Sequence, residues 1–207
     1  MSLFPALFRN RFRMLVACLL VVLGVFGVVH AVRASLATHL YLKTKYGLFA
    51  GYAFGVPKLE RGPEVFSRAY RASGLYPANY YFSAYAAKCA LYDALSAQGS
   101  GDFRNELARA HYFARQAVGI NPYEAEGRMV YALTLAEDGK IAEAIAYWRN
   151  QVVDREFWNT DNHNFLANLY LRSFSVEDME LAVAELPFVG DNDLRKKLQK
   201  LKKTLGR

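Results

Sequence analysis

Residues 131–148 read "YALTLAEDGKIAEAIAYW". Two helical segments meet here at Gly139, one expected over 123–138 and the next over 140–154. The stretch shows no sustained alternation of apolar and polar residues, which a half-buried strand requires. A glycine just past the last periodic residue is a helix stop, because it enters left-handed backbone without a Cβ clash. The stretch therefore predicts a helical hairpin. The chain around it has the same texture, with further helices expected near 64–73, 78–97, 103–119, 161–173, 176–186 and 192–205. "GLYP" (74–77) and "GINP" (119–122) end helices with Gly and then Pro. "QGSGD" (98–102) is a turn in which Asp102 stands ready to cap the next helix. "SVED" (175–178) offers Ser175 as N-cap with Asp178 three residues on, near a capping box, and "DND" (191–193) places acids where the helix dipole favours them.

The hairpins repeat. "YRASGLYPANYY" (70–81) matches "RQAVGINPYEAE" (115–126), with Pro77 and Pro122 placed 45 residues apart. The unit at 131–148 resembles the tetratricopeptide repeat, whose period is about 34 residues. On that resemblance Ala132 is the small residue that lets the two helices of the unit approach, and Gly139 is the turn. Ala144 is then the second small contact, Trp148 the aromatic that packs on the next unit, and Pro122 the end of the preceding helix. In the unit before, Ala87 and Ala110 are the small contacts, and "SAQGSGD" expands its turn. In the unit after, "FLANLYL" (165–171) places Ala167 at the small contact, whereas "SFSVED" replaces the glycine turn and leaves the register of its second helix open. Glu64–Ser73 reads as a leading half unit, so the resemblance covers roughly 64–190.

The resemblance implies a concave face lined by the first helix of each unit, able to bind a peptide or a partner helix. Its projected residues are Tyr81, Lys88 and Tyr92, then Glu126, Met129, Leu133 and Glu137, then Asp161, Asn164, Asn168 and Arg172. Members that grip an acidic C-terminal tail carry Lys and Asn one turn apart in their first unit. Here the matching positions are Ala84 and Lys88, so that clamp is not expected.

The N-terminus is of another kind. Met14–Val32 is a run of 19 residues without a formal charge, about 28 Å as a helix and close to the roughly 30 Å hydrocarbon core of a bilayer. A retained single-pass anchor over 14–33 is the expected reading. Two alternatives stay open: a signal cleaved at "AVRAS" (31–35) and a lipoprotein signal ending at Cys18. Arg9, Arg11 and Arg13 form the denser flank, which favours a cytoplasmic N-terminus and a domain outside, as in the periplasm of a bacterial inner-membrane protein. Residues 34–63 are expected to be a juxtamembrane or linker segment, read as an extension of the anchor helix followed by an interfacial or partner-packing stretch, with a flexible aromatic linker as the alternative; in it Gly47, Gly51 and Gly55 recur at four-residue intervals and would let a partner helix approach.

The net charge of +7 is concentrated at the ends of the chain. Residues 1–13 hold three Arg, and 191–207 hold seven Lys or Arg against two Asp, while 14–190 are near neutral with 16 basic and 17 acidic residues. That distribution does not make a nucleic-acid groove. In the last helix Leu194, Leu198, Leu201 and Leu205 form one stripe, read as a cap over the open end of the last repeat. The surrounding Arg195, Lys196, Lys197, Lys200, Lys202 and Lys203 suit anionic lipid headgroups or an acidic partner.

The sequence lacks a nucleophile elbow, a Walker loop, a haem-attachment motif and paired-Cys zinc spacing. His30, His39, His111 and His163 are read as structural or exposed, and no cofactor, metal or catalytic residue is expected. The two cysteines, Cys18 and Cys89, are not expected to pair. The sequence thus predicts an all-α protein: one transmembrane helix, a short tetratricopeptide-like α-solenoid of helical hairpins, and a C-terminal capping helix. Its expected role is a non-catalytic scaffold or assembly subunit binding other protein subunits of a membrane complex. The alternative is a receptor that holds peptides or precursors transiently in the groove.

Overall fold

The computed structural model describes residues 4–53, 63–99 and 101–206, all of them in helices and the turns that join them. The chain divides into two compact units, Met1–Pro77 and Ala78–Arg207.

The first unit contains α1 (Phe4–Ala53) and α2 (Pro63–Leu75). α1 is long and apolar enough to cross a membrane. Every residue from Phe12 to Arg33 is exposed, a stretch of about 33 Å at helical rise. Beyond Arg33 the helix acquires a sided character. Ala34, Ala37, Leu40, Tyr41 and Thr44 are the less exposed positions, and Ala37 and Thr44 are fully buried. Their three- and four-residue spacing is a helical stripe, on an element that packs against α2. The Thr44 hydroxyl donates to the Leu40 carbonyl at 2.8 Å, so its burial leaves no polar atom unsatisfied. Residues 34–53 thus extend the same helix beyond the apolar span, as the sequence predicts for the start of the juxtamembrane segment. The helix continues unbroken to Ala53, because residues 34–53 contain no proline and their sided pattern gives the helix a partner.

The second unit holds α3 (Tyr80–Ser96), α4 (Phe103–Ile120), α5 (Ala125–Glu137), α6 (Ile141–Trp148), α7 (Thr160–Ser173), α8 (Val176–Ala184) and α9 (Asn192–Thr204). All lie within a few residues of the expected spans, α6 being continued by a π turn, Arg149–Val153. The first helices of successive hairpins start alike. Asn79, Glu124 and Asn159 are extended N-caps whose side chains accept from the backbone N–H of Tyr81, of Glu126 and Gly127, and of Asp161. Ser175 and Asp191 cap α8 and α9 through Asp178 N–H at 3.0 Å and Leu194 N–H at 2.7 Å. Asp102 occupies the cap position of α4, but its own backbone is already helical and its side chain makes no capping bond.

Alanine brings the helices together. Ala84, Ala87, Ala110, Ala132, Ala144 and Ala167 are completely buried, including both small contacts of the 131–148 unit. Large residues then fill the spaces between units. Trp148 is 3% exposed, donates its indole N–H to the Asn162 carbonyl at 2.9 Å, and lies 4.3 Å from the Phe165 ring, so it joins α6 to α7. Leu194 and Leu198 of α9 belong to the same core as Leu166, Tyr170 and Val189, as a cap over the last hairpin requires.

The chain also buries one charge that the sequence did not announce. Arg128 of α5 is buried, and its Nη2 donates to Glu156 at 2.9 Å while its Nε and Nη1 have no hydrogen-bond partner. Glu156 also accepts from Asn162 at 3.2 Å. Removing the acid strands a buried guanidinium, which is costlier than removing both charges. Glu156→Ala is accordingly expected to cost about 3–5 kcal/mol in urea unfolding, and Arg128→Met with Glu156→Gln clearly less. Equal losses would contradict this pairing.

The two hairpin turns that follow α5 and α7 differ in a testable way. Gly139 has φ +78, and Lys140 N–H closes back on the Leu135 carbonyl at 2.9 Å, a glycine-terminated helix stop. Phe174 holds the equivalent place after α7 with φ +59 and is 83% exposed. A bulky residue pays about 1–2 kcal/mol for left-handed backbone, and here its ring recovers little by burial. Phe174→Gly is therefore expected to raise stability by about 1 kcal/mol, read as a higher melting midpoint. A lower midpoint would show that the exposed ring makes a contribution of its own.

Candidate partner-binding face

The projected face runs across α3, α5 and α7. Tyr81 and Tyr92 of α3, Met129 of α5 and Asp161, Asn168 and Arg172 of α7 are exposed, while Lys88, Glu126, Leu133, Glu137 and Asn164 are half-buried. α3 packs directly on α5, and the charges meet in pairs between neighbouring first helices. Lys88 of α3 donates to Glu126 of α5 at 2.7 Å, and Arg172 of α7 donates to Glu137 of α5 at 2.9 Å. The face thus satisfies much of its charge internally. Its remaining exposed features are aromatic and thioether surface at Tyr81, Tyr92 and Met129, with amide and carboxylate groups toward α7. The Tyr81 ring is also engaged, 4.1 Å from Tyr80.

Asn164 has a local task. Its side-chain oxygen accepts from the backbone N–H of Gly190 at 2.9 Å and of Asp191 at 3.2 Å, which fixes the turn that launches α9. A Cβ at Gly190 would stand 3.0 Å from the Thr160 hydroxyl, so this turn also needs the small residue. Asn168 donates to the Asn164 carbonyl one turn earlier, a bond within its own helix. Ala84 is completely buried and Lys88 is paired with Glu126. Gly47 and Gly51 lie in the α1 backbone, whereas Gly55 and the packing stripe the three would form fall outside the described residues.

Among the described residues no group of three or more His, Cys, Asp or Glu is placed to hold a metal. His30 Nε2 lies 3.3 Å from the Tyr76 hydroxyl, and His39 is exposed on α1. His111 sits between Thr134 at 3.2 Å and the Tyr131 ring, and burial holds its imidazole below the usual range, with Lys140 adding to the effect. His163 is buried between the Glu185 carboxylate at 2.6 Å and the Phe157 carbonyl at 2.8 Å, which ties the turn before α7 to the end of α8. Burial pushes the Cys89 thiol well above its usual range, which leaves it a packing residue, and Cys18 is exposed on α1.

No protein-family model matches the chain, and no curated protein matches it. Among solved structures, the crystal structure of a thermophilic tetratricopeptide repeat protein from Thermus thermophilus is similar to it, with a TM-score of 0.60 at 17% identity over 78% of this chain and 79% of that one. The fold is tetratricopeptide-like. At this identity the likeness concerns the path of the helices, and the residues on the face are this chain's own.

Because both inter-helix ion pairs are partly solvated, they set alignment more than stability. A double-mutant cycle on Glu137→Ala and Arg172→Ala is expected to give a coupling below about 1 kcal/mol. A coupling of several kcal/mol would make the pair a structural clamp and remove Arg172 from any binding role.

Proposed function

We propose that the chain is a non-catalytic, membrane-anchored scaffold or assembly subunit that holds other proteins of a membrane complex. The observation that carries this reading is the coexistence of two unlike parts. α1 exposes apolar side chains from Phe12 to Val32, and a separate unit packs α3–α9 into hairpins whose first helices leave Tyr81, Tyr92, Met129, Asp161, Asn168 and Arg172 exposed. In this reading residues 1–13 are a basic cytoplasmic flank and 14–33 the single-pass anchor. Residues 34–63 follow as the juxtamembrane segment, 64–190 are the repeat domain and 191–207 the basic C-terminal helix. The three Arg before the span favour a domain in the periplasm of a bacterial inner membrane. A helix exposing about 33 Å of surface suits retention in a bilayer better than cleavage.

The second reading, a peptide or precursor receptor, draws on Tyr92 and Met129, whose exposed apolar surface suits a ligand segment. Purification of the tagged full chain in mild detergent, after carbonate extraction, tests the proposal. The chain should resist extraction and copurify with stoichiometric protein partners; recovery as a lone extractable monomer would refute it. The triple variant Tyr92→Ala, Met129→Ala, Arg172→Ala separates the readings. A scaffold that uses this face leaves its complex, whereas a receptor keeps its complex and loses transient ligand.

A further inference from the structure

Three aromatic side chains gather at one end of the last hairpins, beside the start of α7. Phe157 and Trp158, in the turn before α7, are 66% and 69% exposed, and Phe188, in the turn after α8, is 52% exposed. The Phe157 and Trp158 rings meet edge to face at 5.4 Å, and Phe188 stacks on buried His163 at 4.8 Å. With Arg195 at the start of α9, they border an open cleft of about 340 Å³.

The turns that present these rings are fixed from beneath. His163 ties the Phe157 carbonyl to Glu185, and Asn164 holds the backbone of Gly190 and Asp191. The aromatic surface is thus held in place without contributing to the core. Its charge environment is asymmetric. Glu156, Glu185 and Asp191 of the same turns are engaged by Arg128 and Asn162, by His163, and by the α9 N-terminus. Among the described residues, Arg195 donates to a neutral carbonyl, that of Val189, and to no carboxylate. Behind it α9 carries Lys196, Lys197, Lys200, Lys202 and Lys203, all exposed, on the surface left by the buried Leu194 and Leu198; Lys196 pairs loosely with the exposed Asp193 at 3.5 Å, which leaves the helix still strongly cationic.

We infer that this end of the domain docks on an anionic bilayer surface, with Phe157, Trp158 and Phe188 at headgroup depth and the α9 cations over lipid phosphates. The amphipathic Trp158 ring favours that interface, Phe157 and Phe188 add apolar surface that can enter the headgroup–acyl boundary, and each basic residue near an anionic leaflet adds attraction. Lipid suits the surface better than a peptide. Phe157 and Trp158 stand out from the protein instead of lining a closed groove, and the cations spread around a helix without forming a pocket. The inference rests on the membrane-anchored reading for its nearness to lipid.

The full chain contains two tryptophans, and Trp148 is buried, so quenching by brominated lipid reports Trp158. The full chain is reconstituted in vesicles of brominated phosphatidylglycerol or brominated phosphatidylcholine, with resistance to carbonate measured in parallel. Quenching is expected in phosphatidylglycerol, with severalfold less in phosphatidylcholine and in high salt. Trp158→Phe should abolish it. Changing Lys196, Lys197, Lys200, Lys202 and Lys203 to Gln should reduce it severalfold at an unchanged melting midpoint and unchanged resistance to carbonate. An inserted chain whose Trp158 is unquenched in phosphatidylglycerol overturns the inference and leaves the anchor standing. Quenching without carbonate resistance supports docking and refutes the anchor. If soluble polyglutamate shields Trp158 from iodide while brominated lipid does not quench it, the surface belongs to an acidic protein and the inference is wrong.

Discussion

Two helices approach closely only where neither carries a bulky side chain at the crossing, and this unit is assembled on that constraint. Ala132 and Ala144 set the approach of α5 and α6, and Ala84, Ala87 and Ala110 are buried where α3 and α4 pack together. Alanine contributes little apolar area, so the burial that stabilises the domain comes from the residues at the edges of these contacts. Trp148, Leu166, Tyr170 and Leu198 reach between hairpins because the alanines have drawn the backbones close enough. Enlarging a crossing residue would therefore also displace the large side chains that depend on it.

Much of this architecture was legible because its determinants are local. Gly139, the Gly-x-x-Pro endings and the capping residues act within a few positions of themselves, so the helix boundaries could be read one at a time. The less legible features depend on residues distant in sequence. Nothing near Arg128 announces Glu156, and nothing near Asn164 announces the Gly190 turn. The α8 register shows the same limit. The helix starts where the repeat predicts, yet its buried small residue is Ala182, and Met179 occupies the position equivalent to Ala144. A π turn at Arg149–Val153, closed by Asp154 N–H on the Arg149 carbonyl at 2.9 Å, stands where the sequence predicts ordinary helix. It places the consecutive Val152 and Val153 in the interior, and only the tertiary contact favours that widening.

The projected face was legible as a row of positions but not as a chemical surface. Spacing alone places Lys88, Glu126, Glu137 and Arg172 on first helices. Their pairing across α3–α5 and α5–α7 follows from how the helices are stacked. A row that pairs its own charges offers a ligand shape and apolar contact more than electrostatic attraction, if it binds one as proposed above. The strong unbalanced charge of the domain lies in α9 instead, so apolar exposed surface and net charge fall on different parts of one small unit.

Each helix of the second unit makes its main contacts with the next one or two in chain order. Such a chain has little long-range closure to achieve, and low contact order goes with fast folding. Each hairpin can pack on its predecessor as soon as it leaves the ribosome, without waiting for the C-terminus. α9, which follows the last hairpin, is the helix that shields the open edge of the stack. Until α9 arrives, the Tyr170 and Val189 end of the core stays wet. The finished domain should therefore open from that end first, with amide exchange fastest in α8 and α9 and slowest around α5.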